Sequence, residues 1–162
     1  MNNYSDGSYL ITKFFPICDG VYLHKELPEL LPYSIGSINS YSSLLYYKTG
    51  STGIRIDFES CDNRIVKKIS FSSSASMPAE WEHMGLTWEI SYKDLWLLTT
   101  RKGLVNIVMD APHMDYVGGR GFLAAEFAAT PPDGSFSLIF NFMLREGKTI
   151  FDKNTLYSIK AF

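Results

Sequence analysis

The chain has 162 residues, 46% of them hydrophobic and 20% charged, and a formal net charge of −2 from 15 Lys plus Arg against 17 Asp plus Glu. That length and composition suit one globular domain burying roughly two-thirds of its unfolded surface, and they exclude chain-wide disorder and fibrous repeats. The near-balanced charge offers no bulk field for a phosphate backbone or an anionic bilayer, so neither nucleic acid nor membrane is an expected partner.

In chain order, residues 9–15 are apolar and β-prone until Pro16 stops them, and Asp19-Gly20 leads into Val21, Tyr22 and Leu23, which predicts an opening hairpin. Prolines at 28 and 32 keep Leu27 to Leu31 from forming a long helix, so Leu30 and Leu31 sit on a stiff apolar bulge or single turn. Residues 44–48, 54–59 and 64–72 read as a three-strand meander. Its clearest member alternates Ile54, Ile56 and Phe58 with Arg55, Asp57 and Glu59, one apolar face against one polar face. The serine-rich stretch 70–76 predicts a flexible joint between two halves of the chain.

A short helix is expected over 77–84, with Ser76 able to cap it, Pro78 in its first turn and Gly85 closing it. Leu86, Trp88, Ile90 and Tyr92 alternate with polar residues and predict a fourth strand. Ser91 and Asp94 imitate a capping box, but Arg101-Lys102-Gly103 before 104–109 favours two strands and a hairpin, so 94–100 is also read as strand. For 121–129 four alanines favour helix and the following double proline favours a hairpin strand, and strand is preferred. Residues 136–144 are apolar on both sides and predict a central strand; 156–162 alternate and predict a closing one. The sum is a mainly β, single-domain antiparallel sandwich or open barrel of about nine or ten strands with one short helix.

The amino-terminal residues lack a basic cluster ahead of an apolar run, and the longest apolar stretch is about half the ~20 residues of a spanning helix. Cys18 and Cys61 are too few for a disulfide scaffold, so both are expected as reduced thiols and the protein as cytoplasmic.

Chemistry-bearing clusters are loose. Asp110, His113 and Asp115 combine carboxylates with an imidazole, which is the donor set a divalent ion or a metal-assisted hydrolase would need. The pattern lacks a second histidine and matches ordinary polar solvation better. Glu80 and Glu82 flank Trp81 with His83 next, but residues two apart on a helix point in different directions, so an acidic first turn is the simpler account. Neither cysteine, nor His24, His83 or His113, sits in a recognisable catalytic string. Gly118-Gly119-Arg120-Gly121 lacks the spacing and lysine of a phosphate loop and reads as a turn; Lys67-Lys68 and Arg101-Lys102 make only small positive patches. No cofactor is implied.

The strongest compositional shift lies at 33–53, where Tyr33, Tyr41, Tyr46 and Tyr47 account for four of the ten tyrosines among serines, glycines and Asn39. Tyrosine offers rigid contact area with a polar tip while Ser, Gly and Asn adapt their hydrogen bonds, a mixture suited to recognition. The expectation is therefore a non-catalytic module that binds another protein, a toxin or an enzyme, through these tyrosines with Leu30 and Leu31. A small inhibitor such as a toxin-neutralising immunity-type protein fits that type. The alternative is a small-ligand-binding or metal-assisted hydrolase domain with a pocket near Asp110, His113 and Asp115.

Overall fold

The computed structural model describes residues 23–24, 26, 34–39, 43–47, 54–58, 65–73, 77, 79–117, 119–134, 136–153 and 155–162. Their strands are β1 (Ser34–Asn39), β2 (Ser43–Tyr47), β3 (Ile54–Phe58), β4 (Val66–Ser72), β5 (Val105–Val117), β6 (Arg120–Thr130), β7 (Leu138–Leu144) and β8 (Thr155–Ala161), with helices α1 (Ala79–His83) and α2 (Tyr92–Arg101) between β4 and β5. All eight strands lie in one sheet of order β1-β2-β3-β4-β8-β7-β6-β5, and each neighbouring pair is antiparallel. The mainly β, antiparallel expectation is met. Among the described residues eight strands form a single sheet that is not closed, with β1 and β5 at its edges.

Two four-strand meanders make this sheet. The first runs β1 to β4; the chain then crosses one face through the helices to the far edge, and β5 to β8 walk back until β8 pairs with β4. Of the serine-rich stretch read as a joint, residues 70–72 belong to β4 and 74–76 lie outside the described residues. Along the seam Ile69 faces Ala161 and Phe71 faces Ile159, and all four are buried, so one core spans both meanders. β7 is interior, as its two-sided apolar pattern predicts.

Two segments depart from the sequence reading. Residues 86–92 are not a strand: Leu86 follows α1, Thr87 to Ile90 make a turn with the Ile90 amide donating to the Thr87 carbonyl at 3.2 Å, and Tyr92 opens α2. The alternation is still read out as burial, because the turn leaves Thr87 and Glu89 exposed and Leu86 inside. Residues 94–100 belong to α2 rather than to a strand. Ser91 Oγ accepts from the Asp94 amide at 3.0 Å, Asp94 and Arg101 place charges of the right sign at the two ends, and Tyr92, Leu95 and Thr99 recur at helical spacing on the buried side.

Both helices end the same way. Gly85 at φ +92° and Gly103 at φ +83° take the left-handed conformation that other residues adopt only at a cost, and the following Leu86 and Leu104 amides donate back to Trp81 and Thr99. Each of those leucines is buried, so the glycine stop doubles as an anchor into the core. The opening hairpin at 9–23 lies outside the described residues except for Leu23, which is buried.

α2 is seated on the sheet by rings. Tyr92 meets Phe127 edge-on at 4.9 Å and Phe142 at 5.4 Å, while Trp96 lies 5.2 Å from Phe127. Burial pushes the Tyr92 phenol above its ordinary pKa, because the phenolate would lose its hydration there. The unfolded chain ionises near pH 10, so stability tied to the neutral phenol is complete below about that pH and lost as the pH rises beyond it. We expect Tyr92→Phe to resist alkaline unfolding better than the wild-type chain, read as the change in urea midpoint between neutral pH and pH values above that of free tyrosine. Parallel losses in the two proteins would refute the assignment.

Candidate functional site

Among the described residues β5 is the longest strand, and only its β6 side is paired. The α2 stop delivers the chain to this edge and Asn106 fastens it there. Asn106 Nδ2 donates to the Trp96 carbonyl at 2.9 Å and to Thr100 Oγ1 at 2.9 Å, and its Oδ1 accepts from Thr99 Oγ1 at 2.8 Å. Val105, Ile107, Val108 and Met109 are all exposed, Ile107 at 55% and Val108 at 56%, although Val108 pairs with the fully buried Phe127.

The register with β6 slips between Val108 and Asp110 and again between Asp110 and His113. Pro112 falls in the second irregularity, as suits a residue without an N–H in an edge strand. Beyond it Met114 and Tyr116 are exposed at 55% and 67%. β5 thus carries two apolar halves divided by a pair of bulges.

The second half opens onto a groove of about 640 Å³ floored by Met114, Phe122, Leu123, Met143 and Leu144. Arg145, Glu146 and Lys148 of the β7–β8 turn give it a rim of mixed charge. Gly121 shapes one wall: a Cβ there would fall 2.9 Å from Tyr116 Cε1 and 3.1 Å from Met114 Cε, so the glycine lets both side chains cross β6 closely. Apolar floor and charged rim describe a surface suited to a peptide or protein segment.

The tyrosine stretch lies at the opposite end of the sheet. Its backbone forms the hairpin β1–β2 rather than open loops, with Tyr46 opposite Ile35 and Ile54, and Tyr47 opposite Ser34. Tyr33, Tyr41, Leu30 and Leu31 lie outside the described residues, as do Cys18 and Cys61.

Asp110, His113 and Asp115 belong to β5 and not to a loop. The two bulges put them opposite Glu126, Ala124 and Phe122, alternate positions of β6, and His113 is exposed. Among the described residues no group of three His, Cys, Asp or Glu can hold a metal ion. Glu82 and His83 are exposed on α1, and His24 is exposed where its amide donates to the Val66 carbonyl at 2.7 Å. Gly119 turns the chain between Val117 and Arg120, so the glycine-rich string is a hairpin turn. Among the described residues no helix is long and apolar enough to cross a membrane.

Sequence reasoning missed Val105, Ile107, Val108, Met109, Met114, Tyr116 and Leu123. Their signal is an apolar run that fails to alternate, which reads equally as a strand covered on both faces. Comparisons with protein families, with curated proteins and with solved structures find no match to this chain.

Proposed function

We propose that this chain is a non-catalytic protein-binding module acting in the cytoplasm as a small inhibitor, of the kind that neutralises a toxin. The observation that carries the reading is the groove at the second half of β5, where Met114, Tyr116 and Leu123 expose apolar surface beside a charged rim. Contiguous apolar surface rimmed by polar groups is the usual mark of a protein contact. In the same reading Tyr33, Tyr41, Tyr46, Tyr47, Leu30 and Leu31 of the tyrosine-rich stretch form a second contact region.

Anchor residues at such contacts cost about 2 kcal/mol or more when truncated, roughly a thirtyfold loss of affinity. We therefore expect Met114→Asp with Leu123→Asp to abolish recovery of the bound partner from native lysate, and the wild-type chain to inhibit that purified partner one to one. Tyr33, Tyr41 and Tyr47 replaced together by Ala measure the share of the tyrosine-rich stretch. Equal recovery by wild type and both variants, or a partner whose activity the chain leaves untouched, refutes the proposal.

A further inference from the structure

We propose that the groove at the second half of β5 is a seat for an amphipathic α-helix of the partner, laid on the sheet as α2 is laid on the neighbouring stretch of the same face. The inference rests on the reading of this groove as a protein contact and adds the kind of segment that enters it.

β6 carries the pattern of a helix seat twice. Its residues on the side of α2 are Gly121, Leu123, Ala125, Phe127 and Ala129, since alternate residues of a strand share a face and its ladder with β7 runs from Leu123 to Ala129 without a slip. Phe127 stands between two alanines and meets Tyr92 and Trp96 of α2 with its ring. Leu123 stands in the same way between Gly121 and Ala125, with Met114 opposite it on β5 and Leu144 opposite it on β7. A large side chain between small ones is relief into which the ridges of a helix fit. The first seat is closed, with Phe127 fully buried, whereas at the second Leu123 is 39% exposed and Met114 55%.

Backbone chemistry selects a helix over an extended peptide. β6 is hydrogen-bonded to β5 on one side and to β7 on the other, so the amides and carbonyls beneath the groove are taken up by the two ladders. A segment pressed onto that floor must satisfy its own polar groups, which a helix does internally. The neighbouring edge is a poor substitute: Pro112 brings no N–H, and the register slips up to His113 leave only the last few residues of β5 for an added strand. On the rim Arg145 and Lys148 outnumber Glu146, so the flank of the helix nearest the β7–β8 turn is acidic.

The probe is a side-chain-stapled helical peptide of about 14 residues, with leucines at helical spacing and glutamates on its flanks. It is expected to bind the full chain, to shift the amide resonances of Met114, Tyr116 and Leu123, and to lose roughly tenfold or more in affinity for Leu123→Ala, whose folding is checked by its unfolding midpoint. A peptide of the same composition with leucines at every second position should not bind. No binding at about 1 mM helical peptide, equal affinity for the two leucine patterns, or an affinity that Leu123→Ala leaves unchanged would each overturn the proposal. A partner recovered from lysate through Met114 and Leu123 despite any of these results would leave the protein contact standing and remove only the helix. Peptide binding with the expected losses, beside a partner still recovered by Met114→Asp with Leu123→Asp, would uphold the seat and place the partner elsewhere.

Discussion

Phe127→Ala is expected to lower the unfolding free energy by about 3–5 kcal/mol, because it removes the ring on which α2 rests and leaves a hole that rigid neighbours cannot close. Phe127 is fully buried on β6, 5.2 Å from Phe140 and stacked at 6.3 Å on Phe142 within the sheet, and it meets both Tyr92 and Trp96 of the helix. The flanking residues of the same face, Ala125 and Ala129, are small and buried, so no neighbour on β6 has bulk to swing into the gap. In a domain of this size each kcal/mol moves the melting temperature by about 2–4 °C, so a fall of roughly 10 °C or more is the expected reading. The urea dependence should keep its slope while the midpoint drops. A loss below about 1 kcal/mol would mean that the helix is held chiefly by its glycine stops and the Asn106 network, and not by this ring.

That small-large-small row explains why 121–129 could be read correctly against its alanine content. Propensity speaks for helix, but a helix must seat itself against something, and Ala125, Phe127 and Ala129 provide a floor with one peg. The strands β3, β4, β7 and β8 were legible because period-two alternation, or its absence in a two-sided apolar strand, maps directly onto burial. Residues 86–92 show the limit of that rule. Alternating burial survives there without a strand, since a helix stop and a turn can present every second side chain inward as well as a pleat can. At 94–100 the decision rested on the Ser91 cap and on Gly103, two local signals whose energies of about 1 kcal/mol each outweigh the weak β preference of Leu-Trp-Leu-Leu. The apolar edge was legible as a strand but not as an edge. Nothing in Val-Asn-Ile-Val-Met says how many neighbours it will have, because the strand order depends on how the helices carry the chain across the sheet, and that is a long-range outcome. For the tyrosine stretch the sequence supplied composition alone, and composition cannot say which rings share a side.

Phe71→Asp is expected to abolish folding of the whole chain, including the half that contains no mutation. Phe71 is buried in β4, opposite Ile159 across the seam and 5.3 Å from Trp88. The substitution deletes a core ring, costing about 3–5 kcal/mol, and adds a carboxylate with no cation in register, costing several more. Together they match the roughly 5–15 kcal/mol that hold a domain folded. The informative question is how far the damage spreads. Of the three tryptophans Trp88 touches Phe71 itself, whereas Trp81 on α1 and Trp96 on α2 report on the helical crossing that leads into the second meander. If the meanders folded independently, Trp81 would stay buried, Trp96 would stay against Phe127, and the amides of β6 and β7 would stay protected from hydrogen exchange. The seam argues otherwise: Ile69, Phe71, Ile159 and Ala161 sit in one buried cluster with the helix-facing residues of both halves, and β8 is shared as a neighbour by β4 and β7. Phe71→Leu, which keeps most of the volume, should fold with a cost of about 1–2 kcal/mol and unfold in a single transition. Protected β6 and β7 amides in Phe71→Asp would show two units where the sheet order describes one.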